Sequence, residues 1–290
     1  MKRFILSAIA VALLGGCNDN DEGTMPAGEG RIDIRPGIEA LTRTPQLNED
    51  GSGYFNNGDV ISLIVSDDKD YFEKTDYTMP QTDFYWDDLR IPAMTERVRF
   101  AGCYPKYDGE GTTFVFDVNE AATKDLLLAP AVQVEKGSAA AISLPFYHAT
   151  HSLVIRYKSD NYSEEELKTI ATTIQAVAEC RVDLKEGKTE DIPSQETKKY
   201  QPLTGQEISA LLVPQAKNGV SLQAVINGKT FTYDFSSLPE TTDKGQNIAR
   251  LEGGKQLVVV LNVNRDGITL AGMTIQKWDQ QGSVVGNIII

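Results

Sequence analysis

The sequence predicts an all-β chain of sandwich type, and three observations carry that reading. Past residue 30, short runs rich in β-branched and aromatic residues recur at regular spacing. Gly, Pro, Asn-Gly and Asp-Gly punctuate them, and only one segment carries a helix-start signal. Ile32 and Ile34 alternate with charged neighbours in a strand expected from Arg31 to Leu41. Val60 to Val65 is a β-branched run after Asn57-Gly58-Asp59. Phe84 to Trp86, Val98 to Tyr104, Phe114 to Val118, Leu126 to Leu128 and Ile142 to Phe146 follow, with turns expected at Asp108-Gly109, Gly111, Pro130 and Lys136-Gly137. In the second half Leu153 to Tyr157 and Ile174 to Leu184 read as strands. Two hairpins are expected: Val220 to Ile226 with Thr230 to Phe235 around Asn227-Gly228, and Leu257 to Val263 with Ile268 to Ile275 around Asp266-Gly267. Both turn pairs accept the positive φ angles of a type I′ turn. The single helix starts where Ser163 caps and Glu166, three residues on, closes a capping box. It is expected to run to about Thr172, with Glu164 to Glu166 at the positive end of its dipole. A boundary near residues 146 to 150 then divides the chain into two β-sandwich domains, 31–148 and 149–290.

The first thirty residues have a different logic. Lys2 and Arg3 precede an apolar run, Phe4 to Leu14, and Leu14-Gly15-Gly16-Cys17 follows. Eleven apolar residues are too few for a membrane-spanning helix, so residues 1–16 read as a cleaved signal segment. The small Gly15 and Gly16 suit a peptidase cleft, and the Cys17 thiol is a nucleophile for lipid transfer. The pattern resembles the lipobox of bacterial lipoproteins, whose mature chain begins at an acylated cysteine. Residues 17–30, acidic from Asp19 to Glu22 and then rich in Gly and Pro, form a flexible tether. Acidic residues directly after the lipidated cysteine also resemble the surface-export signal of Bacteroidetes lipoproteins. A calcium loop through Asn18, Asn20, Glu22, Gly23 and Glu29 has the spacing of an EF-hand but lacks the leading Asp and the flanking helices.

The formal net charge is −13, and removal of Lys2 and Arg3 with the signal makes the exported chain more acidic still. That balance argues against nucleic acid as a partner. Cys103 and Cys180, besides Cys17, are either one disulfide or two buried thiols, and no Cys/His spacing suggests zinc. His148 and His151 stand three apart in an extended segment and so face opposite sides. They are expected to satisfy backbone groups at the domain junction rather than hold a metal. Acid pairs at Asp67-Asp68, Asp87-Asp88 and Glu164-Glu165 fall in turns and at the helix start, where solvation explains them. A glycosidase needs two carboxylates about 5 or 6.5–9.5 Å apart across a cleft. No nucleophile elbow, phosphate loop or thiol–histidine spacing appears, so no enzyme and no cofactor are expected. Tyr71, Phe72, Tyr77, Phe84, Tyr85 and Trp86 are dense enough for a stacking platform. Packing is the preferred reading, with one or two rings exposed.

Taken together, several motifs resemble those of the Bacteroidales fimbrillin family, the Mfa-like type V pilin lipoproteins. They are Gly58-Asp59-Val60-Ile61-Ser62-Leu63, then Phe100-Ala101-Gly102-Cys103-Tyr104-Pro105, then Phe146-Tyr147-His148-Ala149. Leu212-Val213-Pro214-Gln215 leads to Asn227-Gly228-Lys229 with Phe231 and Tyr233. The last stretch is Gly254-Lys255, Val258 to Asn264, Gly267-Ile268-Thr269-Leu270, and Ile275 with Trp278. The resemblance covers roughly residues 30 to 280. It implies two transthyretin-like β-sandwich domains and a structural subunit or anchor of a cell-surface fimbria, supporting adhesion. Its partners would be other fimbrial subunits, the outer membrane through lipid on Cys17, and a host protein or glycan. Thr42-Arg43-Thr44 resembles the site where an arginine-specific protease trims fimbrillins, although Thr44 stands where Ala is common. The apolar tail, Val284, Val285, Ile288, Ile289 and Ile290, reads as a donor strand for a neighbouring subunit, though the stretch after Trp278 is short for the family. The alternative function is a monomeric surface lipoprotein that binds glycan or a host ligand through the aromatic group.

Overall fold

The computed structural model describes residues 30–38, 55–121, 125–242 and 245–277. The first seven strands are β1 (Ile34–Ile38), β2 (Val60–Ser66), β3 (Phe72–Thr78), β4 (Arg97–Tyr104), β5 (Thr113–Asp117), β6 (Leu127–Glu135) and β7 (Ile142–His148). Next come β8 (His151–Lys158), helix α1 (Glu164–Leu167), β9 (Ala171–Ala176), β10 (Glu179–Asp183), β11 (Lys188–Glu190), β12 (Lys198–Lys199), β13 (Leu203–Thr204) and β14 (Glu207–Leu212). The last are β15 (Gln215–Ala216), β16 (Ser221–Ile226), β17 (Lys229–Asp234), β18 (Arg250–Leu251), β19 (Lys255–Val263) and β20 (Ile268–Lys277). The architecture is all-β, in stacked sheets.

Six strands form one sheet in the order β1-β7-β6-β4-β2-β3. Its residues alternate between two cores because successive side chains of a strand point to opposite faces. Ile61, Leu63 and Val65 of β2, Val98 and Phe100 of β4, and Ile142, Leu144 and Phe146 of β7 enter one cluster. Ile64, Ala101, Cys103 and Leu128 enter the other. A three-stranded sheet, β11-β10-β5, contributes Phe116, Cys180 and Val182 to that second core. The remaining strands form a sheet in the order β12-β9-β16-β17, with β13 also paired to β9, another in the order β14-β8-β19-β20, and a two-stranded pair, β15-β18. Leu257, Val259, Leu261 and Val263 of β19 are wholly buried, and they share the second cluster with Ile174, Leu222 and Ile226 from the other sheet. That core therefore draws on residues from both sides of position 148.

Several sequence expectations need correction. The run from Ile174 to Leu184 is not one strand. It breaks into β9 and β10, which belong to different sheets. The cause is the Gln215 side chain, whose Oε1 accepts from Val177 N at 2.9 Å while its Nε2 donates to Val177 O at 3.0 Å. A buried amide takes the place of ladder bonds at the crossing, so the backbone can change sheets with its polar groups satisfied. Helix α1 does carry the Ser163/Glu166 capping box, but it ends at Leu167. The β-branched Thr169, Ile170, Thr172 and Thr173 favour the strand that follows. Phe84 to Trp86 makes only an isolated bridge, Arg31 with Tyr85, before a 3₁₀ turn at Trp86–Asp88. Asp88 Oδ2 takes the Tyr85 N–H at 2.8 Å, a local bond that competes with strand pairing. Pro130 lies inside β6 rather than in a turn. The β4–β6 register shifts between Phe100 and Gly102, and that irregularity lets a residue without an N–H sit in the strand.

The two hairpins form as expected, but with different turns. Asn227 and Gly228 have φ of 47° and 75°, as a type I′ turn requires. Gly228→Val is expected to cost roughly 1 kcal/mol or more, because a β-branched residue resists positive φ. A urea melt against wild type measures it. Asp266 and Gly267 have no positive φ; β19 and β20 are joined by a four-residue loop in which Asn264 N donates to Gly267 O at 2.8 Å.

Candidate functional site

The segment from Gly30 to Ile38 is the part of the expected assembly machinery that the structure describes. β1 pairs with one strand only, running parallel to β7 from Ile34 opposite Ile142 to Ile38 opposite Phe146. Ahead of it, Ile32 N donates to Phe84 O at 2.8 Å and Trp86 N to Gly30 O at 2.6 Å. Ile142 N reaches Asp33 O at 2.8 Å. Ile32, Ile34 and Ile38 are buried beside Phe55, Phe84, Leu144 and Phe146. Arg35 stays outside, paired with Asp33 at 2.8 Å. Pro36 and Gly37 lie within the strand, in register with Leu144 and Pro145, and a proline there suits the rim of a sheet. Burial of three isoleucines stabilises this arrangement by on the order of 5 kcal/mol, an upper bound. β1 is thus an edge strand whose apolar face closes the first core.

The other predicted functional positions lie outside the described residues: Cys17, Arg43, Thr44, and the tail residues Val284, Val285, Ile288, Ile289 and Ile290. So does Trp278. The described part of the expected 31–41 strand is β1 with its approach.

At the start of the second half a polar group lies buried in an otherwise apolar region. His148 Nδ1 is 2.8 Å from Asp125 Oδ1, and Thr150 Oγ1 donates to the same oxygen at 3.0 Å. His151 Nδ1 donates to the Glu252 carbonyl at 2.9 Å, while its Nε2 has no partner among the described residues. Burial, the largest effect, holds the His151 imidazole down to about 4. Backbone satisfaction was the expectation for both rings. It holds for His151, whereas His148 meets a carboxylate. Among the described residues no group of three or more His, Cys, Asp or Glu side chains gathers to hold a metal.

Cys103 and Cys180 are two separate buried thiols, pushed up to about 12 chiefly by burial. The aromatic group divides as the packing reading expects. Tyr77, Phe84 and Trp86 are buried, Tyr71 and Phe72 are half-buried, and Tyr85 is 40% exposed. Sequence reasoning did not find the open hollow of about 800 Å³ beside Trp86, because its walls come from three separated segments.

Comparison with known proteins adds the family. A family profile described as fimbrillin-like matches residues 42–278. A search of curated proteins found no match. Among solved structures, a candidate cell adhesion protein of Bacteroides uniformis is similar with a TM-score of 0.62 at 16% identity, covering 87% of this chain and 99% of that one. A second, of Bacteroides ovatus, is similar with a TM-score of 0.58 at 14% identity, covering 86% and 98%. These likenesses establish a shared fold over nearly the whole described chain. With the profile spanning most of its length, this chain belongs to the fimbrillin-like family.

Proposed function

We propose that the protein is a structural subunit or anchor of a cell-surface fimbria, held to the outer membrane by lipid on Cys17 and assembled by β-strand exchange, without enzymatic activity. The observation that carries this reading is the seating of β1. It is an edge strand with one partner strand, three buried isoleucines and, shortly after it, Arg43. A cut after Arg43 would sever the covalent link between β1 and the rest of the sheet, leaving it free to exchange. Its departure would expose the β7 edge and the apolar side chains Leu144 and Phe146, a surface that associates rather than stays in water. The apolar tail of a neighbour, through Val284, Val285, Ile288, Ile289 and Ile290, has the β-branched composition to refill it. Backbone hydrogen bonds would supply affinity, and side-chain seats would set register. We further propose two β-sandwich units, 31–148 and 149–290, as the repeating body, joined by the pairing of β5 with β10.

The test uses the Cys17→Ser chain, which is expected in the soluble fraction instead of the membrane. Treated with an arginine-specific protease, it is expected to lose residues up to Arg43 and form a ladder of multimers on native gels. Arg43→Ala and deletion of residues 286–290 are each expected to leave monomer. Cut protein that remains monomeric at high concentration rejects strand exchange as a stalk subunit and favours an anchor or a monomeric binder.

A further inference from the structure

We propose that in the uncut chain the segment Val284 to Ile290 docks along the open edge of β20 as an added antiparallel strand. Among the described residues β20 ends its sheet, pairing with β19 alone. It is ten residues long, whereas no other outermost strand of the described sheets exceeds seven. From Ile268 to Gln276 it carries neither proline nor charge, the residues that ordinarily guard an edge left in water. Its core side is incompletely covered as well. Val259, Leu261 and Val263 are wholly buried, but Met273, Leu270 and Ile268, directly opposite them, are only half-buried.

The other face of this sheet is apolar too. Val154 of β8 and Val258 and Val260 of β19 point away from the core, because they alternate with the core residues beside them. Among the described residues Val154 is 6% exposed yet belongs to neither core cluster, and Val258 and Val260 are half-buried. Opposite Val260, β20 places Gly272, with nothing within 4 Å of its Cβ position, so the outer surface has a gap there.

The tail matches this sheet on both sides. Val284-Val285 and Ile288-Ile289-Ile290 are apolar at consecutive positions, so a strand built from them is apolar on both faces. The edge of β7 is different: Ile142, Leu144 and Phe146 are buried, but Ser143 and Tyr147 between them are exposed. In the uncut chain β1 fills that edge in any case. Asp279 and Gly282 suit the first and fourth positions of a type I turn, the usual core of a four-residue hairpin loop. Such a loop sets Val284 opposite Lys277 and Ile290 opposite Ala271, the extra residue at which the β19–β20 register shifts. Ile288 then falls beside Met273 on the core side, and Ile289 opposite Gly272, over Val260. Tethered so closely, the tail meets β20 at an effective concentration on the order of millimolar, ahead of any second copy. This seat belongs to the uncut chain and strand exchange to the cut one, so either proposal can fail alone.

The experiment uses the full exported chain carrying Cys17→Ser and Arg43→Ala, which keep it soluble and uncut. Hydrogen exchange followed by mass spectrometry is compared with the same chain lacking residues 284–290. The full chain is expected to protect about three more amides of β20, since alternate N–H groups of an antiparallel strand point to each side. Their exchange is expected to be slower by about tenfold or more. Thr274→Cys with Asn287→Cys, opposite each other on the outer face, is expected to close a disulfide within the monomer on mild oxidation. Cys103 and Cys180 are buried and do not compete. Ser143→Cys on β7 with Asn287→Cys is the control and is expected to stay reduced. The proposal is overturned if the deletion leaves exchange in β20 unchanged. It is equally overturned if Thr274→Cys and Asn287→Cys link only between copies, which would give the edge to a second molecule, or if the control pair closes instead.

Discussion

Gly187→Ala is expected to destabilise the protein by about 3 kcal/mol or more, far beyond an ordinary loop substitution. Gly187 holds φ at +61°, a conformation that charges an alanine about 1–2 kcal/mol. The added Cβ would also stand 2.1 Å from the Ala129 carbonyl oxygen and 2.9 Å from Pro130 Cα, backbone atoms that cannot rotate away. The residue lies at the tip of the β10–β11 hairpin, where it presses on β6. The contact is reinforced by Arg99 with Glu186 at 2.8 Å and by Lys185 Nζ donating to Lys69 O at 3.3 Å. Gly137→Ala is the matched control, because Gly137 has φ of +81° with nothing within 4 Å of its Cβ position. Urea unfolding of both variants separates strain from collision. Equal losses would mean that the hairpin tip does not bear on β6 as described.

The second large effect is acid sensitivity centred on His151. Its pKa falls from 6.5 to about 4 on folding, first because burial disfavours the imidazolium. The bond to the Glu252 carbonyl and the Glu252 charge work the other way, and the Lys255 charge adds to the lowering. Above pH 6.5 the ring is neutral in both folded and unfolded chains. As pH falls from 6.5 to about 4, the unfolded chain takes up a proton that the folded one refuses. Stability should then decline by about 1.4 kcal/mol per pH unit, or about 3 kcal/mol over the window. His151→Gln keeps a donor for the carbonyl but cannot titrate. The difference between the two stability–pH curves cancels His148 and the carboxylates common to both. It should show this slope in that window, and a flat difference curve would refute the assignment.

Much of the β-architecture was legible because its signals are local. Period-2 alternation in β7 marks which side chains enter the core, the continuous apolar runs of β2 and β19 mark them as strands, and Asn227-Gly228 names its own turn. The Ser163/Glu166 box likewise announces the start of α1. What escaped depends on contacts distant in sequence. The break between β9 and β10 is made by Gln215, some forty residues downstream. Pro130 reads as a turn until β4 supplies the irregularity that admits it. Asp266-Gly267 resembles its counterpart in composition, yet a longer loop relieves it of positive φ. Of the proposed functional positions, Cys17 and Arg43 are recognisable because an enzyme that processed them would read local sequence. The hollow beside Trp86 has no such signature, since Asp87, Arg97 and Glu135 are united only by the fold.

The pairing of β5 with β10 also bears on how the protein is made and exported. Residues 113–117 find their partners at 179–183, so the second face of the six-stranded sheet cannot be closed until that later hairpin has emerged. A chain synthesised and threaded across a membrane from its N-terminus is therefore kept from completing its early half while the later half is still inside. Contacts of such long sequence separation form slowly. Under the export proposed above, the delay would keep the polypeptide thin enough for a translocation channel and postpone tertiary closure until the whole chain had reached the far side.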